Sequence, residues 1–126
     1  MNVVDSSGWL EYFADGPSAE FFAPTIEATS DLLVPTLSLY EVFKRVLQQR
    51  GEGAALQAVA LMQQGKVVEL TASLALVAAK VSIEYRLPVA DSILLATAQI
   101  YGATLWSQGA DFELVAGVKY VAKTKS

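Results

Sequence analysis

Pro88-Val89-Ala90-Asp91-Ser92-Ile93-Leu94-Leu95-Ala96-Thr97-Ala98-Gln99-Ile100-Tyr101-Gly102-Ala103-Thr104-Leu105-Trp106-Ser107 is the stretch that decides the fold class. Pro88 interrupts whatever precedes it, and Val89-Ala90-Asp91 lead into a helix from Ser92 to Tyr101 that Gly102 closes. That helix is almost wholly apolar, as expected of an element packed inside a protein. Ala103 to Ser107 then reads as a short strand.

The same alternation runs in both directions from there. Upstream, Lys66-Val67-Val68-Glu69-Leu70 is a strand, and Thr71 begins a long alanine-rich helix reaching about Tyr85. Before it, a helix spans about Ala54 to Gln64 and ends at Gly65, and another spans Leu37 to Gln49, broken by Gly51 and Gly53. Thr36 or Ser38 can cap the latter. Asp31 to Pro35 is a strand that proline stops, and Ala19 to Ala28 is a helix with Phe22 and Ile26 on one face. Asn2 to Asp5 is a buried first strand. Ser6-Ser7-Gly8 is turn and cap chemistry, and Trp9 to Phe13 continues as a short helix. Downstream, a helical turn lies near Asp111 to Val115, Lys119 to Ala122 is a fifth strand, and the tail from Lys123 to Ser126 is loose.

Short strands alternating with helices predict right-handed crossovers and a sheet covered on both faces. The fold class is therefore α/β: a single-domain three-layer α/β/α sandwich over residues 1–126, with a parallel sheet of four to five strands. No repeat or linker divides the chain.

Composition narrows the chemistry. There is no cysteine and no histidine, so thiolate zinc sites, cysteine nucleophiles and the commonest general base are excluded. Catalysis must run on carboxylates, hydroxyls, lysines or a metal held by oxygen, which points to hard cations such as Mg²⁺ or Mn²⁺. The net charge of −4 argues against a broad basic field for coating nucleic acid, but not against acids gathered on a metal. With 53% hydrophobic and 17% charged residues, the chain has apolar surface to spare, most simply for a subunit interface. No apolar run approaches the roughly 20 residues of a membrane span, and Met1 to Asp5 carries no signal-peptide pattern. A cytoplasmic location is the expectation.

In open parallel sheets, sites form beyond the carboxyl ends of the strands, near the point where strand order reverses. Asp5 ends strand one, and Ser107 with the loop Gln108 to Asp111 ends strand four. Glu41 lies about one turn into the helix after strand two, and Asp91 starts a helix. Each has a plainer role beside this one. Asp5 and Asp91 can serve as helix caps, Glu41 can pair with Arg45 four residues on, and Asp111 suits the first turn of a short helix. Ser7 and Ser107 can act as local caps. Lys44, Arg45, Arg50 and Arg86 can hold phosphates only if they share a face, and Trp9, Tyr12 and Phe13 suit core or interface packing.

Val4-Asp5-Ser6-Ser7, Ser38-Leu39-Tyr40-Glu41-Val42, Pro88 to Ala98 and Leu105-Trp106-Ser107-Gln108-Gly109-Ala110-Asp111-Phe112, in this order, resemble a PIN-domain ribonuclease of the VapC toxin type. The resemblance covers essentially the whole chain. It implies a Mg²⁺-dependent endoribonuclease in which Asp5, Glu41 and Asp91 are the catalytic and metal-holding acids and Ser7 and Ser107 support them, while Asp111 either takes part of a further acid's role or belongs to an Asp-Phe pair that packs the loop. It also implies products with a 5′-phosphate and a 3′-hydroxyl, a homodimer, and a small VapB-type antitoxin that blocks the acids with a basic side chain. In one place the chain departs from the family pattern: Gly109 stands where a fourth acid is usual, two residues after Ser107. A catalytically weak PIN-like module that binds RNA or a partner is therefore the alternative. Two other doubly wound folds fail on their residues: an aspartyl phosphatase needs an acid where Ser7 stands, and a receiver domain needs an aspartate where Thr71-Ala72-Ser73 follow strand three.

Overall fold

Strands β1 (Asn2–Val4), β2 (Leu32–Pro35), β3 (Lys66–Val68), β4 (Thr104–Ser107) and β5 (Lys119–Tyr120) form one sheet in a computed structural model that describes residues 1–124. Their order is β3-β2-β1-β4-β5, and every pairing is parallel. Parallel neighbours need crossovers, which six helices provide: α1 (Ser6–Phe13), α2 (Ala19–Glu27), α3 (Thr36–Arg50), α4 (Glu52–Met62), α5 (Ala72–Tyr85) and α6 (Val89–Tyr101). Strand order turns at β1, which lies between β2 and β4, so the crevice expected of such sheets opens beside its carboxyl end.

Side-chain alternation builds the layers. Val3 and Leu33 point to one face, where they pack with Leu74, Ala78 and Val81 of α5 and with Leu94 and Ala98 of α6. Val4, Leu32 and Val34 point to the other, against Trp9, Phe22 and Ile26 of α1–α2 and Val42, Val46, Ala58 and Met62 of α3–α4. Helices thus cover both faces, as the sequence pattern requires. Helix α6 is buried continuously from Ser92 to Ala98, which explains why its sequence has no polar stripe. On the other face Gly8 sits so tightly that an added Cβ would stand 2.7 Å from Phe22 and 2.8 Å from Val4. A glycine inside α1 is therefore a packing requirement, and the helix lies close on β1 because of it.

Several boundaries differ from the sequence reading, each for a physical reason. Helix α3 has no side-chain cap from Thr36 or Ser38, because β2 runs directly into it and Pro35 occupies the capping position. Ser38 is instead fully buried, its Oγ without a hydrogen-bond partner. Only Gly51, at φ 87°, breaks the chain between α3 and α4, whereas Gly53 lies inside α4. Helix α4 stops at Met62, so Gly65 is not its cap. A Cβ at Gly65 would lie 2.9 Å from Val34 and 3.0 Å from the Leu32 carbonyl oxygen, so glycine lets the chain close on β2 as it enters β3. Helix α6 begins at Val89 rather than Ser92, which moves Asp91 into its first turn. The turn after β4 is a short 3-10 helix, Ala110–Phe112. The tail expected to be loose has no regular structure at Lys123 and Thr124, and its last two positions lie outside the described residues.

Candidate active site

Asp5 leaves β1 at its carboxyl end and takes the N-cap position of α1, but its side chain does not cap the helix. It is only 6% exposed, and its Oδ2 accepts two hydroxyl protons, from Ser107 at 2.6 Å and from Ser7 at 3.1 Å. Ser107 Oγ in turn accepts the Gly109 backbone N–H at 2.8 Å. A buried carboxylate demands such donors, and here the ends of β1 and β4 bring them together across 102 residues of chain. Both donors fall on the same oxygen. The plainer reading of Asp5 as a helix cap is thereby set aside.

Glu41 faces the same edge. Its Oε1 accepts from Ser6 Oγ at 2.6 Å, which draws it off the surface of α3 and toward β1. Asp91, half-buried in the first turn of α6, is the point where the acids meet. Its carboxyl is pushed up to about 7, first by burial, then by the charge of Asp5, by a hydrogen bond and charge from Asp111, and by the charge of Glu41. The other three acids singled out from the sequence therefore all act on Asp91, although the four come from separate stretches. Asp111 reaches Asp91 because its neighbour Phe112 is fully buried in the α5–α6 core and pins the loop.

The donor set is all oxygen, and the crowding that lifts Asp91 is what a divalent cation would relieve. These residues fit a hard cation such as Mg²⁺ by chemistry. They do not yet fit it by distance, for no group of three or more acids among the described residues is spaced to hold one ion. Closing the cluster on a metal requires side-chain movement, which the exposed Asp111 and half-buried Glu41 and Asp91 allow.

Gly109 leaves a small gap in this shell. A Cβ there would lie 3.3 Å from both Asp5 Oδ2 and Ser107 Oγ, and the backbone is extended at φ −74° and ψ 129°. An acid at this position would thus stand directly beside Asp5, with no backbone barrier against it. The sequence reading missed Ser6, which looked like one of three interchangeable cap residues, and Gln108, whose Nε2 donates to the Ser7 carbonyl at 3.3 Å. No local signal marks either one, since each partner is distant in sequence.

A parallel α/β sheet with Asp5 at the end of its central strand, and Glu41, Asp91 and Asp111 gathered with it from α3, α6 and the loop after β4, defines a class of doubly wound proteins with an acid-rich edge. Residues 3–118 match the family model described as the PIN domain, so the chain belongs to the PIN-domain family. Solved structures agree on the fold. A toxin–antitoxin complex from Klebsiella pneumoniae superposes with a TM-score of 0.80 at 18% identity, covering 94% of this chain and 95% of that one. A sarcin–ricin-loop-cleaving VapC toxin of Mycobacterium tuberculosis gives 0.76 at 20% identity, covering 94% and 98%. DNA-bound VapBC from Salmonella typhimurium gives 0.74 at 15%, covering 96% of each. No curated protein sequence is similar enough to count as a relative.

Proposed function

We propose that the chain is a Mg²⁺-dependent endoribonuclease, with Mn²⁺ able to substitute, and the toxin of a VapBC-type pair. The observation that carries this reading is the convergence of Asp5, Glu41 and Asp111 on Asp91, whose carboxyl burial and these three acids together push up to about 7. Asp5, Glu41 and Asp91 would hold the ion, with Asp111 joining them, and the bound ion would supply positive charge against the phosphodiester being displaced. The chain's own hydroxyls do the positioning: Ser7 and Ser107 fix Asp5, and Ser6 fixes Glu41. A bound ion would relieve the crowding that lifts Asp91 and leave its carboxylate ionised as a ligand.

Partners follow from the same reading. The solved structures named above as toxin–antitoxin or VapBC complexes support a small VapB-type antitoxin. Leu76 and Ile83, seven residues apart on α5 and 69% and 83% exposed, support a homodimer through that helix. No helix among the described residues is long and apolar enough to cross a membrane, and we place the protein in the cytoplasm.

The test is incubation of the partner-free protein with a pool of structured RNAs, with Mg²⁺ or with EDTA, beside Asp5→Asn and Asp91→Asn. Discrete cleavage is expected only with the metal, and each variant should lower it roughly a hundred- to a thousand-fold. Cleavage that survives EDTA and both substitutions would sink the proposal. Gly109 favours one second reading, a PIN-like module that binds RNA or a partner without cutting. It is the outcome if folded wild-type protein binds RNA and never cleaves it.

A further inference from the structure

Gln108 follows Ser107 directly at the end of β4 and is only 4% exposed. Its Nε2 donates to the Ser7 carbonyl at 3.3 Å, across 101 residues of chain. Ser7 Oγ donates to Asp5 Oδ2, and so does the Oγ of Ser107, the residue to which Gln108 is bonded. Asp5, Ser7, Gln108 and Ser107 therefore form a closed ring, and the glutamine amide is the link that closes it. The loop bearing that amide is fixed on both sides. The Val121 N–H donates to the Ser107 carbonyl at 3.1 Å, the Gly109 N–H to Ser107 Oγ at 2.8 Å, and the Phe112 N–H to the Gly109 carbonyl at 3.0 Å.

For packing alone, the amide is a poor choice. Its other polar atom, Oε1, is buried with no hydrogen-bond partner among the described residues. Gln108 borders a groove between α1 and the α3–α4 hairpin whose walls are mainly apolar, among them Leu10, Phe13, Val46 and Leu61. An unpaired buried acceptor costs stability, and a methionine would fill the same length of space without that cost. Helix α1 does not need the bond either, since a helix offers the Ser7 carbonyl to the amide four residues on. A local rule broken beside a cluster of acids is the mark of a residue kept for the site rather than for the fold.

We propose that Gln108 is a positioning residue: by holding the first turn of α1 against the β4 loop, it keeps both hydroxyl donors on Asp5 Oδ2 and leaves Oδ1 to a divalent cation. The inference rests on the nuclease reading of the acids and adds to it a residue that acts only through Ser7. Without the link, the Ser7 hydroxyl is no longer held in register with Ser107. A carboxylate that loses one of its donors rotates more freely and presents either oxygen.

Gln108→Met is the test, read first without RNA by thermal melting over a Mg²⁺ series. Free of metal, the variant should melt at or slightly above wild type, because the unpaired acceptor is gone. With Mg²⁺ it should gain less than wild type does, since stabilisation by a bound ion follows affinity. In cleavage, the Mg²⁺ concentration for half-maximal rate should rise about ten-fold, the low end for groups that orient metal ligands, and excess Mg²⁺ should restore the rate. Ser7→Ala should show the same defect. Adding Gln108→Met to it should do little more, because both changes act on one hydroxyl. Gln48→Met, the same substitution at an exposed position of α3, should alter neither readout. A Gln108→Met protein that fails to fold, or melts well below wild type without metal, makes the amide a brace for the fold and overturns the proposal. So do an unchanged Mg²⁺ requirement and losses that add in the double variant. If wild type neither cleaves RNA nor gains stability from Mg²⁺, the nuclease reading falls and this inference falls with it. If wild type does both and Gln108→Met matches it, only the role of Gln108 is lost.

Discussion

Asp5 and Asp91 lie at one edge of the sheet and are held there by opposite means. Asp5, almost fully buried at the end of β1, has two hydroxyl donors on a single oxygen and a backbone N–H behind one of them. Asp91, half-buried at the start of α6, is lifted to about 7 first by burial and then by three acids pressing on it, with no cation to counter them among those causes. Hydrogen bonds organise the first, whereas the second stays in place because the rest of α6 is buried from Ser92 to Ala98 and cannot move away. A site assembled this way holds electrostatic strain that folding alone does not need, which is the usual mark of a functional cluster.

The comparison can be broken on either side. Ser107→Ala attacks the hydrogen-bonded half: it strips Asp5 of its shorter donor and leaves the Gly109 N–H without its acceptor. A loss of about 1–3 kcal/mol is expected in urea unfolding, with cleavage falling as well. A loss below 0.5 kcal/mol would mean that the network does not organise Asp5.

Asp91→Asn attacks the crowded half and should raise stability. Between roughly pH 4 and pH 7 the folded protein keeps the Asp91 proton while the unfolded chain has released it, so the unfolded state binds fewer protons and stability falls as pH rises. Above about pH 7 the full penalty is present. The variant should therefore melt at the wild-type temperature near pH 4 and a few degrees higher at pH 8, the gain being moderated because Asp91 is half open to solvent. A difference that does not change with pH would refute the assignment.

Gly109→Asp sharpens the contrast by adding a further acid beside Asp5 Oδ2. Without metal it should lower the melting temperature at pH 8 by a degree or two, and with Mg²⁺ it should gain more than wild type does, since a bound ion stabilises in proportion to its affinity. Equal Mg²⁺ responses would show that position 109 does not face the ion. Smallest of all, Ser38→Ala removes a buried hydroxyl that has no partner, and equilibrium unfolding should find it neutral or slightly stabilising. A clear loss would reveal a bond made by Ser38 Oγ that the static structure lacks.

The elements were legible wherever periodicity was strong. Helix α5 and strand β1 sit within a residue or so of their expected limits, because buried strands and long amphipathic or apolar helices leave a pattern in the chain itself. Boundaries failed where a neighbour in space decided them. Gly65 looked like a helix stop and is a close approach to Val34, and the hydroxyls expected to cap α3 were displaced by Pro35. The acids were legible as candidates, from their places at strand ends and from the family resemblance, but the side toward which Glu41 turns was not. Its partner, Ser6, lies 35 residues away, and nothing between them announces the contact.

By itself, then, this sequence determined an α/β chain with parallel strands, with neither cysteine nor histidine for its chemistry and with acids spaced along four stretches. Those properties are local: composition, hydrophobic period and turn residues act over a few positions. Only the tertiary structure decided that β1 lies between β2 and β4, that Asp5 shares its donors with β4, and that Asp111 meets Asp91. It alone brought Gln108 to the Ser7 carbonyl beside them. Side-chain distance is set by the packing of whole layers, and charges interact through space rather than along the chain.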